Sequence, residues 1–147
     1  MEIRIHIQLE QRPIDSLIPR ATNPRTHTAE QVHQVASSIQ EFGWTNPILI
    51  GADNDVIAGH ARLLAARQLG LQEVPVIVLE HLSEAQRRAL VIADNQLALD
   101  AGWDEEMLRL ELTALSEEEF PMALLGFDDQ RLAELLAEEQ GHRRARR

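Results

Sequence analysis

Ile3, Ile5, Ile7 and Leu9 alternate with Arg4, His6 and Gln8, and this period of two predicts a half-buried strand at the start of the chain. Pro13, Pro19 and Pro24 break up the segment that follows, so 11–27 is expected to be mostly loop. Thr28 and Gln31 form a capping-box pattern. Val32, Val35, Ala36 and Ile39 make the apolar stripe of a helix that Gly43 ends. Pro47-Ile48-Leu49-Ile50 reads as a short buried strand. Turn chemistry over 51–55 leads into a second strand over 56–58, which predicts a hairpin. Gly59 interrupts it, and 60–69 reads as a helix stopped by Gly70. The β-rich run 74–79 contains Pro75, which suits an edge or the start of a strand. Ser83 and Gln86 form a second capping box, opening a helix to about Ala98. Two acidic amphipathic helices are expected over 104–115 and 128–139, with Pro121 and Gly126 in the loop between them.

Strands and helices therefore mix up to about residue 80, and helices alone follow. That order predicts an α/β or α+β domain over 1–100, an acidic helical subdomain over 101–140 and a basic, disordered tail over 141–147. The net charge is −10 over 147 residues, and every basic residue is an arginine. Residues 93–142 hold 14 Asp/Glu against 2 Arg, whereas 1–92 are nearly neutral. Counterion release needs a basic surface, so strong non-specific binding to nucleic acid is not expected, and an anion site belongs in the first part. The absence of cysteine excludes disulfides, thiol nucleophiles and cysteine metal sites. No stretch approaches the roughly 20 apolar residues that span a bilayer. The first ten residues lack a signal-peptide core, so no membrane and a cytoplasmic location are expected.

Three windows carry candidate chemistry. In the first, a strand runs through Gly59 straight into a helix, whose free N–H groups can hold an anion while Gly59 lets a phosphate approach. His60 and Arg62 in the first turn add donors. The plainer alternative is a tight turn with solvent-facing His and Arg. In the second, Asp94 and Asn95 offer oxygen ligands for Mg²⁺ beside phosphates, or form an exposed polar patch. In the third, the proline-fixed loops Thr22-Asn23-Pro24-Arg25 and Trp44-Thr45-Asn46-Pro47 either shape a pocket or are simply turns. His27 and His33 fall on different helix faces and make a poor metal pair. Trp44 and Trp103 are read as core or cap residues.

The ordered succession of these windows over about 3–100 resembles the N-terminal domain of ParB-type partition proteins, within the ParB/sulfiredoxin superfamily. The residues that carry it are Asn23-Pro24-Arg25, the helix ending Phe42-Gly43, Asn46-Pro47-Ile48-Leu49, Val56-Ile57-Ala58-Gly59-His60-Ala61-Arg62, Val74-Pro75-Val76 and Asp94-Asn95. The resemblance implies a small α+β domain with a mixed sheet. It also implies binding of a nucleoside triphosphate, CTP or ATP, with Mg²⁺. Gly59, His60, Ala61 and Arg62 then correspond to the phosphate loop, and Thr45 and Asn46 to the segment beside the nucleotide. Asn23 and Arg25 correspond to the loop tied to hydrolysis, and Asp94 and Asn95 to the pair that helps hold the metal. The family's Gly-Glu-Arg-Arg is Gly-His-Ala-Arg here, so one arginine is lost.

The segment from Leu90 to Trp103, followed by acidic helices without recognition-helix character, resembles the ParB-like domains found beside DNA methyltransferases in phages and prophages. The resemblance implies a role in a DNA transaction, with DNA contact indirect or weak, a DNA methyltransferase as partner, and a homodimer left open. Three other readings stay open. A Gly-His-x-Arg loop is similar to the free-serine kinases of the superfamily, so a small-molecule kinase is one alternative and a nucleotide-free adaptor another. A nucleoside triphosphatase is also open, whereas no carboxylate cluster supports a nuclease. His60 stands where sulfiredoxins carry their catalytic cysteine, which excludes that chemistry.

Overall fold

The computed structural model describes residues 2–4, 7–20 and 26–145, with the backbone alone from 138 onward. The chain divides into two compact units, one ending at Asp100 and the other starting at Ala101.

The first unit is built on a mixed sheet of four strands: β1 (Leu9–Pro13), β2 (Ile48–Ile50), β3 (Val56–Ala58) and β4 (Glu73–Val78), in the order β1-β4-β2-β3. β1 and β4 are antiparallel, β4 and β2 parallel, and β2 and β3 form the expected hairpin. Helix α2 (His60–Gln68) packs on it, α1 (Ala29–Phe42) packs on α2, and α3 (Glu84–Asp100) follows β4. Leu63 and Ala66 of α2 join Ile48, Ile50, Val56, Val74 and Val76 in one buried cluster. Ala65 joins Val32 and Ala36 of α1 in a second. α2 is thus sandwiched between the sheet and α1, which suits its alanine-rich sequence, because small side chains let helices and sheet approach on both sides.

The N-terminal strand is displaced from its expected position. Ile3, Ile7 and Leu9 are exposed, and the strand begins only at Leu9. The reason is register. β1 aligns Leu9 with Ile77 and Pro13 with Glu73, and its more buried positions are Glu10 and Arg12, which pair with one another at 2.6 Å. Alternating apolar residues signalled extended chain, but the sheet took the next segment. The expected loop therefore contributes to the core, through Ile14 in a short helical turn and through Leu17. β4 is likewise an interior strand rather than an edge. Pro75 is accommodated because the parallel pairing with β2 starts only at Val76, leaving β1 alone beside the proline.

Both capping boxes are present. Thr28 Oγ1 accepts from Gln31 N at 3.1 Å while Gln31 Oε1 accepts from Thr28 N at 3.0 Å, and Ser83 and Gln86 do the same at the start of α3. Thr28→Ala is expected to cost about 1 kcal/mol of stability, read as a lower midpoint of urea unfolding with an unchanged slope.

The second unit pairs α4 (Glu105–Glu117) with α5 (Asp129–Ala145). Asp104 caps α4 by accepting from Met107 N at 3.1 Å. Leu108, Leu112 and Leu135 form its core, with Met122, Leu125 and Phe127 packed against them. Trp103 is not a core residue. It is 66% exposed and meets the Phe127 ring at a centroid distance of 6.1 Å. α5 continues helical to Ala145, past Gly141, where a disordered tail was expected to begin. One glycine costs a helix only about 1 kcal/mol. No helix among the described residues is long and apolar enough to cross a membrane.

Candidate nucleotide pocket

Gly59 is the pivot of the site. It has φ +101° and caps α2 in the left-handed region. A Cβ there would lie 3.2 Å from Ile48 Cγ1 and 3.3 Å from its Cα. Conformation and space both call for glycine, because β3 must turn into α2 while staying against β2. The turn delivers the N-terminal end of α2, with its unpaired N–H groups, into a cavity of about 400 Å³.

The cavity brings together most of the residues singled out from sequence. Gly59, His60, Ala61 and Arg62 line one side, Thr45 and Asn46 another, and Asp94 and Asn95 a third. Asn23 and Arg25 lie outside the described residues. α3 presents Val91, Asp94, Asn95 and Ala98, a single helix face by spacing, and α1 adds Val35, Ser38 and Ile39. Sequence reading missed these α1 and α3 neighbours and His27, although the helical spacing around Asp94 would have found Val91 and Ala98. Trp44 lines the cavity and also packs against the main core.

Arg62 and Asp94 place opposite charges on the cavity wall. Arg62 is partly buried, and no hydrogen bond or ion pair engages its guanidinium among the described residues. Burial pushes its pKa down, and the charge of Asp94 opposes that. His60 Nε2 accepts the backbone N–H of Arg20 at 3.4 Å. Burial first, then the charges of His27 and Arg20, hold the His60 imidazole below its ordinary value of 6.5.

That shift has a sign. Below about pH 6.5 the unfolded chain protonates this histidine before the folded one does, so the unfolded state binds more protons and stability falls as pH drops. Thermal unfolding is expected to move to lower temperature from pH 7 toward 5, with a shallower slope in His60→Gln. An identical slope in the variant would assign the effect elsewhere.

Asp94 and Asn95 provide a carboxylate and an amide, the latter anchored by Asn95 Nδ2 donating to the Val91 carbonyl at 2.6 Å. Among the described residues no three His, Asp or Glu side chains are grouped to hold a metal. This donor set fits Mg²⁺ shared with ligand phosphates, not a cage made by protein alone.

Residues 5–96 match the ParB N-terminal domain family. The chain belongs to that family. It is a ParB-like, partition-related domain. Its relatives include the ParB-like nuclease domain-containing protein YnaK of Escherichia coli K12, 48% identical over 82 residues that make up 56% of this chain and 94% of that protein. The probable plasmid-partitioning protein ParB of Thermus thermophilus is 39% identical over 72% of this chain, but only 35% of its own length is covered. The chain thus spans about a third of the partition proteins it matches. The C-terminally truncated ParB of Caulobacter crescentus, solved with CTP-γ-S, is 25% identical over 94% of this chain and 91% of that one, with a TM-score of 0.66.

Residues 106–145 match the ParB-methyltransferase HTH domain. This corrects the sequence reading, which saw no recognition-helix character in the acidic helices. What misled it was the use of the basic residues. Arg109 is buried, with Nε donating to the Leu135 carbonyl at 3.1 Å, and Arg131 pairs with Glu105. In this ParB-like chain the two arginines before residue 138 in the second unit are engaged within it, Arg109 in its packing and Arg131 in an ion pair, and there is no lysine.

Proposed function

We propose that this domain binds a nucleoside triphosphate, CTP or ATP, with Mg²⁺, and acts as a nucleotide-responsive module in a DNA transaction. The observation that carries the reading is the partly buried Arg62 guanidinium in the first turn of α2, beside the left-handed Gly59, which no hydrogen bond or ion pair engages among the described residues. A partly desolvated cation that only the Asp94 charge offsets gains from a nearby anion, and a phosphate at the helix N-terminus would add negative charge and accept hydrogen bonds from the N–H groups there. The likeness to a ParB solved with CTP-γ-S supports the same ligand class.

In this reading Gly59 and the amides of Ala61 and Arg62 cradle phosphate, Arg62 neutralises it, and His60 donates to it. Thr45 and Asn46 flank the nucleoside, and Asn23 and Arg25 correspond to the segment that the family resemblance ties to hydrolysis. Asp94 and Asn95 hold Mg²⁺ together with the phosphates, and the ion when bound neutralises phosphate charge. The cytoplasmic setting, the phage or mobile-element origin, the DNA methyltransferase partner and the homodimer belong to this proposal. The ParB-methyltransferase HTH match supports the partner class. DNA contact through the second unit is weak or indirect in this reading, because its carboxylates far outnumber its arginines.

Calorimetric titration of CTP, ATP, GTP and ADP with Mg²⁺ tests it. Saturable binding of CTP or ATP is the expected result. Heat at the level of buffer dilution for all four, from a protein with a cooperative melt, would sink it.

A further inference from the structure

α3 supplies Asp94 and Asn95 to the pocket, yet little apolar packing holds it there. Val91 is its only buried residue, and Ile92, Leu97 and Leu99 are exposed. Its attachment is polar and lies at the opposite end. Arg20, with its side chain 9% exposed, places Nη2 2.9 Å from Asp55 at the end of the β2–β3 turn and 2.9 Å from Glu84 in the first turn of α3. Its Nε donates to Asp55 at 3.2 Å. A second pin lies beside it, where Arg87 of α3 meets Asp53 of the same turn at 3.0 Å. The backbone N–H of Arg20 is also the donor to His60 Nε2. One residue therefore touches the hairpin, α3 and the helix start that lines the pocket.

We propose that Arg20 is a positioning residue of the pocket: it latches the α3 wall to the β2–β3 turn and holds the His60 ring, without touching the ligand. This rests on the nucleotide reading only for its effect on affinity. The charges make the latch necessary. Asp53, Asp55 and Glu84 put three carboxylates against two arginines. Burial outweighs the attraction of Arg20 and leaves the Asp55 carboxyl raised, with Asp53 and Glu84 adding to the rise. Without Arg20, Asp55 and Glu84 would face each other unscreened, and α3 would lose the pin nearest its N-terminus. A planar guanidinium can serve both carboxylates at once, which an ammonium does poorly.

Glu84→Gln separates a latch from simple charge attraction, because the two predict opposite signs. Glu84 is 63% exposed, so the substitution is benign for folding. If Arg20 acted only as a distant cation drawing in phosphate, removing the negative charge of Glu84 would tighten CTP·Mg²⁺ binding. If it acts through α3, both Arg20→Gln and Glu84→Gln weaken binding, by about tenfold and about threefold, and the double variant is no worse than Arg20→Gln alone.

Hydrogen exchange on the ligand-free protein decides the latch independently. α3 amides over 88–98 should exchange several-fold faster in both variants, with α1 and β4 unchanged. Unaltered α3 exchange in both overturns the proposal, as does tighter or unchanged CTP·Mg²⁺ binding in Glu84→Gln. Failure of the wild-type protein to bind CTP·Mg²⁺ would count against the proposed function, while the exchange data would still decide whether Arg20 holds α3.

Discussion

Alanine at position 59 is expected to abolish nucleotide binding and to destabilise the N-terminal unit by about 2–3 kcal/mol. Two costs combine. A non-glycine residue at φ +101° is strained, and its Cβ would press to 3.3 Å on the backbone of Ile48, a fully buried residue of β2. Relief requires the start of α2 to swing away from the sheet, and that movement displaces the amides that would hold phosphate. Urea unfolding and CTP·Mg²⁺ titration of Gly59→Ala measure the two effects. A variant with wild-type stability and affinity would show that the turn tolerates a side chain and that its geometry is not what builds the site.

Arg62→Ala should show a different signature. Charge-assisted hydrogen bonds contribute roughly 1.5–3 kcal/mol, so affinity for the bound triphosphate should fall by about 10- to 150-fold. Stability without ligand should change little, since the arginine is partly desolvated and no hydrogen bond or ion pair engages it among the described residues. Binding lost while the melting temperature is kept is what a ligand-directed cation predicts. A drop in melting temperature of several degrees would instead make Arg62 a structural residue. Unchanged affinity in a stable variant would remove it from the site.

The legible parts of this chain were those where local chemistry decides the structure. The capping boxes at Thr28 and Ser83, the hairpin around 51–55 and the break at Gly59 all follow from neighbours in sequence, and the structure has each of them. The errors arose where tertiary pairing decides. The alternation from Ile3 to Leu9 carries a genuine strand signal, but the register against β4 begins at its last member and continues through Glu10 and Arg12. Pro75 argued for an edge or the start of a strand, and nothing local reveals that its strand lies inside the sheet, with the pairing to β2 starting at the next residue.

The site divides in the same way. Gly59, His60 and Arg62 were readable because they share one turn. Their meeting with Asp94 and Asn95 depends on where α3 returns over the hairpin, and the residues that fix that return are arginines far apart in sequence. Nor could charge counting reveal that Arg109 is buried and Arg131 already paired within the second unit.

Gly51 lies in the turn that Arg87 reaches. A Cβ on Gly51 would fall 2.5 Å from the Arg87 guanidinium carbon. The space a side chain would fill is therefore already filled, by the end of an arginine from another element. Sequence drift at these two positions should be coupled. A homologue that acquires a side chain at 51 evicts the guanidinium, and selection to retain an arginine at 87 weakens with it. Aligned homologues should therefore pair glycine at 51 with arginine at 87 more often than their separate frequencies predict, giving the α3 attachment a recognisable evolutionary signature.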